Sequence, residues 1–184
     1  MKAKASPRIP PLPPPYSPEV AEDLRKLMPP GMEPLRLFTT LANNPRVLGR
    51  VRRGGLLDPG AVSLRDREIV ILRTTALCGA EYEWGVHVAF FAEAARLNPE
   101  QIAATLSGNT EPFTAAEQAL LGMCEALHRF ARIDDELWAR LSADRPPAEL
   151  IELLALAGQY HMVSYVANAI GLELEPNAAR FPAR

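Results

Sequence analysis

Apolar residues recur along this chain at spacings of three and four, and Ser, Asn, Thr and Asp stand at the starts of the runs they form. That pattern predicts helices almost throughout from Ser17 onward. Ser17-Pro18 is a cap followed by proline at the first helical position, and it opens a short helix that stops at Pro29-Pro30-Gly31. A second helix is expected over about 33–42, ended by Asn43-Asn44-Pro45. A third covers about 46–53 and ends at Gly54-Gly55. Ser63 caps a strongly apolar segment, about 64–78, whose length and internal charges (Arg67, Glu68, Arg73) favour helix over strand. Gly79 breaks it. The next helix is expected over about 81–97, with Trp84, Val88, Phe91 and Ala95 at 4-3-4 spacing, so the two segments form a helical hairpin with a short turn. Asn98-Pro99-Glu100-Gln101 and Thr114-Ala115-Ala116-Glu117 are capping boxes, the second opening a helix to about 131. Asp134 starts a short helix to about 143. Pro146-Pro147 opens a long one to about 170, closed by Gly171. No segment reads as a convincing strand.

Residues 7–18 read PRIPPLPPPYSP, a stretch that excludes both helix and central strand. A disordered tail or an SH3-type ligand are readings the prolines alone permit. Ile9, Leu12 and Tyr16 give the stretch something to bury, which favours an extended arm laid on its own body or on a neighbour. The chain therefore divides into a proline-rich arm, residues 1–18, and one helical domain, residues 19–184. The final helix is apolar nearly all round, from Leu150 to Val166. In a domain this small, that predicts burial against a second subunit and hence a homo-oligomer.

With 184 residues, 48% of them hydrophobic, and a net charge of −2, the chain is long enough for a real core and too neutral for a nucleic-acid partner. Arg46, Arg50, Arg52 and Arg53 cluster near a helix end and read as a solvated face. No run of about 18 apolar residues is present, so no membrane partner is expected. Two lysines near the N-terminus are not followed by the apolar stretch of a signal peptide. The two cysteines, Cys78 and Cys124, lie far apart. They predict a reduced, cytoplasmic protein with unpaired thiols, slow to react because neither has an evident base at hydrogen-bonding spacing.

The chemistry concentrates in Arg67–Leu77 (REIVILRTTAL) and Glu81–His87 (EYEWGVH). Glu83 and His87 stand one helical turn apart inside an apolar helix, as a general acid/base pair would. The plainer alternative is a satisfied core histidine with a surface glutamate beside it. Glu68, in the middle of an apolar helix, is either a second working carboxylate or the partner of Arg65, Arg67 or Arg73 in a structural ion pair. His161 reads as a packed histidine and His128 as an exposed one. Two glutamates and a histidine could bind a metal, but no His-x-x-x-His or Cys-x-x-Cys spacing supports it, so neither metal nor other cofactor is expected. No phosphate loop and no Gly-x-Ser-x-Gly elbow is present.

In these two runs, and in Gly158-Gln159-Tyr160-His161-Met162 of the last helix, the chain resembles the carboxymuconolactone decarboxylase family of the alkylhydroperoxidase D-like superfamily. The resemblance extends over about 9–174. It implies an all-α, alkylhydroperoxidase D-like helical fold carrying the extra proline-rich arm, assembled as trimers or as hexamers built from them. The superfamily's peroxidase branch uses a Cys-x-x-Cys pair whose second cysteine lies four residues before a histidine. Laid on His87, those cysteines fall on Ala80 and Glu83, so both thiols are missing, while the upstream glutamate falls on Glu68 and is retained. The decarboxylase branch carries a glutamate four residues before the histidine, as Glu83 and His87 do. The resemblance thus implies a cofactor-independent, decarboxylase-like lyase acting on a small organic acid or lactone. His87 takes the acid/base role, Glu83 orients and polarises it, and Glu68 is a second relay carboxylate. Tyr82, Trp84 and His161 are candidate substrate contacts. The alternatives are an alkylhydroperoxidase-like peroxide reductase (peroxiredoxin activity) using Cys78 alone, and a non-catalytic helical oligomer that binds a small ligand.

Overall fold

The structure, a computed structural model, describes residues 6–182. The ends of the expected arm and domain, residues 1–5 with their two lysines and residues 183–184, lie outside the described residues. The described part is all-α, and most of its helices start at the caps expected from sequence. Ser17 accepts the amide of Val20 at the head of α1 (Pro18–Leu27). Ser63 and Asp134 do the same for α4 (Leu64–Leu77) and α8 (Asp135–Ser142), and Asn44, expected only to end the preceding helix, also caps α3 (Pro45–Gly54). Both capping boxes close, at α6 (Pro99–Ser107) and α7 (Ala115–Phe130). The long α9 (Pro147–Ile170) ends on Gly171, whose φ of +72° suits a residue without a Cβ.

Two elements differ from the expected bounds. The second helix, α2 (Arg36–Leu41), starts late because Leu35 has extended backbone and no capping side chain. Its first amide is instead satisfied by Glu175 from the C-terminal segment, at 2.6 Å. The helix expected to reach Leu97 stops as α5 (Glu81–Phe91). Beyond it the chain turns through Arg96, at φ +56°. The guanidinium of Arg65 takes the carbonyls of Ala95 and Arg96, so the turn needs no further helical hydrogen bonds. Ala95 is still buried, which is why the apolar pattern runs past the helix end.

Helix α4 is the axis of the domain. Ile69, Val70, Ile71 and Leu72 are wholly buried, with α5, α6, α7 and α9 packed around them. A helix covered on every side shows no amphipathic stripe. A second apolar cluster joins α1, α2 and α3 to one flank of α5 (Tyr82, Val86) and to Val163 of α9. Thus α5 separates the two cores, with Trp84 in the first and Tyr82 in the second.

The chain ends wrap this body. The arm lies against its own domain: the amide of Arg8 donates to the Ile170 carbonyl at 2.8 Å, and that of Leu12 to Thr39 at 2.9 Å. The C-terminal segment crosses α5 at Gly85, where Ala179 donates to the Gly85 carbonyl. A Cβ on Gly85 would stand 2.2 Å from the Ala179 oxygen, so only glycine lets the two backbones meet. Of the arginine cluster, Arg46, Arg50 and Arg53 are exposed, whereas Arg52 is half-buried and paired with Asp23. No helix among the described residues is long and apolar enough to cross a membrane.

Helix α9 buries one side against α4 and α5. Its outer side carries Ile151, Ala155, Gly158 and Tyr165, all exposed, at helical 4-3-7 spacing.

Candidate active site

Position along α5 decides which side chains can meet. Glu83 and His87 share the face turned towards α4 and α9, while residues 82 and 84 stand about 100° to either side of 83. His87 is 2% exposed and sits between three elements. Its Nδ1–H donates to Glu68 Oε2 of α4 at 2.8 Å. Its Nε2 lies 3.0 Å from the hydroxyl of Tyr160 on α9 and 3.5 Å from Glu83 Oε1 on its own helix. Glu68 is fully buried, and its other oxygen accepts from Arg67 Nε at 3.0 Å. Arg67 is held in turn by the Leu57 carbonyl at 2.8 Å and by the face of Phe91, 5.3 Å from the ring centre. Two carboxylates therefore meet two cationic side chains, the balance that buried charge requires.

Burial acts to lower the pKa of His87. The charge and hydrogen bond of Glu68, reinforced by Glu83, outweigh it and raise the pKa to about 9. At neutral pH the ring is an imidazolium, so both nitrogens donate: Nδ1 to Glu68 and Nε2 to Tyr160. Burial, followed by the charges of Glu83 and Glu68, pushes the Tyr160 phenol well above its ordinary range, which keeps it neutral. One oxygen of Glu83, Oε2, is buried with no hydrogen-bond partner in the protein. That is an acceptor a ligand or a water would complete.

Glu83 and His87 form the polar end of a cavity of about 260 Å³. Its other walls are apolar: Leu27, Met28, Leu35 and Phe38 from α1, α2 and their connection, with Phe90 and Phe91 from α5. A mostly apolar cavity with a few convergent polar groups, one strongly shifted in pKa, is the usual form of a small-molecule site. A larger cavity of about 440 Å³ lies under the arm, but its charged lining residues, Arg36 and Glu173, face each other at 3.9 Å.

The structure brings together three of the residues singled out from sequence, Glu68, Glu83 and His87. It assigns the close contact on Nδ1 to Glu68 and leaves Glu83 at the pocket side of Nε2. Of the three arginines open as partners for Glu68, Arg67 is the one that pairs. Arg65 binds Glu117 and Arg73 binds Glu125. Tyr82, Trp84 and His161 are not brought to the pocket. Tyr82 accepts from the Leu37 amide and donates to Glu175. Trp84 donates to Thr105 at 3.0 Å in the main core. His161 lies beside His128, at 3.1 Å. Tyr160 is a site residue that the sequence does not single out, although it stands in the Gly158–Met162 stretch and precedes His161 there. Cys124 is buried in the core, its thiol pushed up to about 12 chiefly by burial. Cys78 is unpaired, but it does have a base nearby, contrary to expectation: His128 Nδ1 stands 3.9 Å from its sulfur.

Residues 45–126 match the model of the Carboxymuconolactone decarboxylase family, the segment that holds Glu68, Glu83 and His87. The resemblance to that family read from the sequence is confirmed there. No curated protein matches the sequence. Among solved structures, the chain is similar to the alkylhydroperoxidase AhpD core of an uncharacterized peroxidase-related protein from Ralstonia eutropha JMP134. The TM-score is 0.79 at 15% identity, over 94% of this chain and 95% of that one. A peroxidase-related protein from Silicibacter sp. TM1040 gives 0.79 at 17%, covering 96% of each chain. The debrominase Bmp8 in complex with 2,3,4-tribromopyrrole gives 0.76 at 16%, covering 95% of each. At such identities the likeness is one of fold: the helical fold is that of the alkylhydroperoxidase D-like proteins.

Proposed function

We propose that this protein is a cofactor-independent, decarboxylase-like lyase that delivers a proton to a small organic acid or lactone, with His87 as the proton donor. The observation that carries this reading is the buried His87, held by Glu68 and Tyr160 at the polar end of an apolar cavity, with the Glu68 contact raising its pKa. In an unsaturated lactone acid, breaking the bond to the carboxylate releases carbon dioxide. The electron pair moves into a dienolate that ends on the lactone carbonyl oxygen. The imidazolium stabilises that developing charge and then gives its Nε2 proton to carbon, and solvent restores the proton. Glu68 fixes the ring's orientation through Nδ1. Glu83, with its free oxygen, accepts a hydrogen bond from the substrate or from the water that reprotonates the ring. The apolar walls exclude bulk water and so strengthen each of these interactions.

The same reading includes assembly as a homo-oligomer through the outer face of α9, supported by the exposed apolar line that includes Ile151 and Tyr165. A peroxide reductase built on Cys78 has one observation in its favour, the neighbouring His128. It lacks a resolving thiol, since Cys124 lies in the core with its sulfur against the Val70 carbonyl.

The test is a panel of five-membered lactone acids incubated with the protein in D₂O, followed for dissolved carbon dioxide and for deuterium at either dienolate carbon that can take the proton. Release of carbon dioxide with one deuterium per product supports the proposal. Peroxide consumption that titrates with Cys78, with no turnover across the panel, would replace it by the thiol reading.

A further inference from the structure

Only three histidines and two cysteines occur in the sequence, and three of these five residues meet at one place away from His87. Cys78 comes from the C-terminal end of α4, His128 from the last turn of α7 and His161 from the middle of α9. The Cys78 sulfur, a ring nitrogen of His128 and Nε2 of His161 all lie within 4.8 Å of one another. From these three side chains we infer a binding site for a single zinc-like divalent ion.

The distances fit a shared centre. Zinc bonds of about 2.3 Å to sulfur and about 2.0–2.1 Å to nitrogen give tetrahedral edges of about 3.5 Å between S and N and about 3.4 Å between N and N. The Cys78–His128 separation is 3.9 Å and the His128–His161 separation is 3.1 Å, each within a few tenths of an ångström of its tetrahedral edge, and the third edge, Cys78 to His161, is no longer than 4.8 Å. The second contacts are those of a metal ligand. Nδ1–H of His161 donates to the Ala157 carbonyl at 2.9 Å, which leaves the lone pair on Nε2, the atom aimed into the cluster. Arg73, which borders the same cavity as His128, is neutralised by Glu125 at 2.6 Å. A cavity of about 240 Å³ adjoins His128, so solvent and an entering ion can reach that side of the cluster. A mixed sulfur–nitrogen set selects a borderline-soft ion such as zinc over magnesium or calcium. On binding, Cys78 releases its proton to solvent and coordinates as the thiolate. The site is separate from the proposed proton chemistry at His87.

The test is calorimetric titration of the reduced, full-length protein with zinc chloride, repeated with cobalt(II) as a spectroscopic probe. The expected result is one ion per chain at micromolar affinity or tighter, with a thiolate-to-cobalt charge-transfer band that disappears in Cys78→Ser. His128→Ala with His161→Ala should weaken binding by about a hundredfold or more while the helical circular dichroism is kept. His87→Gln should keep the same stoichiometry, which separates this site from the proton-donor site. Should Cys78→Ser misfold, the exposed His128→Ala alone still decides. No saturable binding, or binding that the double histidine variant retains, would overturn the assignment.

Discussion

Replacing His87 by Gln removes a charge whose worth depends on pH in a calculable way. The folded state raises the pKa of this ring from its ordinary 6.5 to about 9. A group raised on folding contributes stability that is fully present below the unfolded value and is lost as pH climbs through the folded one. The stabilising window therefore closes between pH 6.5 and about 9. At about 1.4 kcal/mol per pH unit, the full contribution is about 3 kcal/mol. For a chain of this size that corresponds to a melting shift of about 6–12 °C. The cause is the Glu68 contact at 2.8 Å in a fully enclosed site, where solvent screens little. Chemical unfolding of wild type and His87→Gln, followed by circular dichroism at fixed protein concentration across this range, measures it. The wild-type advantage should shrink by about 3 kcal/mol from the acid end to the alkaline end. Cys78 and His128 also shift, but both occur in both proteins and cancel in the difference. Parallel stability curves for the two proteins would refute the argument, because the ring would then carry no folding-linked proton.

Further outcomes follow from the same geometry. Glu68→Gln removes the carboxylate charge facing Nδ1, so the alkaline limb of kcat/KM should move from about 9 towards 6.5; a limb that stays put would remove Glu68 from its orienting role. Gly85→Ala forces a methyl group to within 2.2 Å of the Ala179 oxygen, and should cost about 1–3 kcal/mol in an unfolding titration unless the C-terminal segment is released. Light scattering should give a multiple of 20.2 kDa, and Tyr165→Glu with Ile151→Glu should lower it; a monomer mass for wild type would refute assembly through α9. Phe38→Ala should open the apolar wall of the cavity and raise KM more than it lowers kcat, as steady-state kinetics would show.

Much of the fold was legible because its signals are local. Ser17, Ser63, Asn98, Thr114 and Asp134 each satisfy an amide three residues on, and a cap of that kind needs no tertiary information. The start of α2 was not legible, since its cap is Glu175, supplied from the other end of the chain. The same distinction holds for the sites. Glu83 and His87 are one turn apart, so periodicity alone places them together. Glu68 needed the family pattern, and Tyr160, 73 residues from His87, had only its place beside His161 to point to it. The Cys78–His128–His161 cluster joins residues 50 and 33 positions apart on three helices, where no ligand spacing in the sequence could report it. Tyr82 and Trp84 flank Glu83 in sequence, and for that reason the helix turns both of them away from it.

The most direct test of the central claim is the turnover of His87→Gln on whichever lactone acid the wild type decarboxylates, in D₂O at neutral pH with the fold checked by melting. The account predicts a fall of about a hundredfold or more in kcat, with deuterium delivery lost alongside carbon dioxide release. Normal turnover by a folded His87→Gln protein would contradict it, and would leave the buried Glu68–His87 pair a structural one.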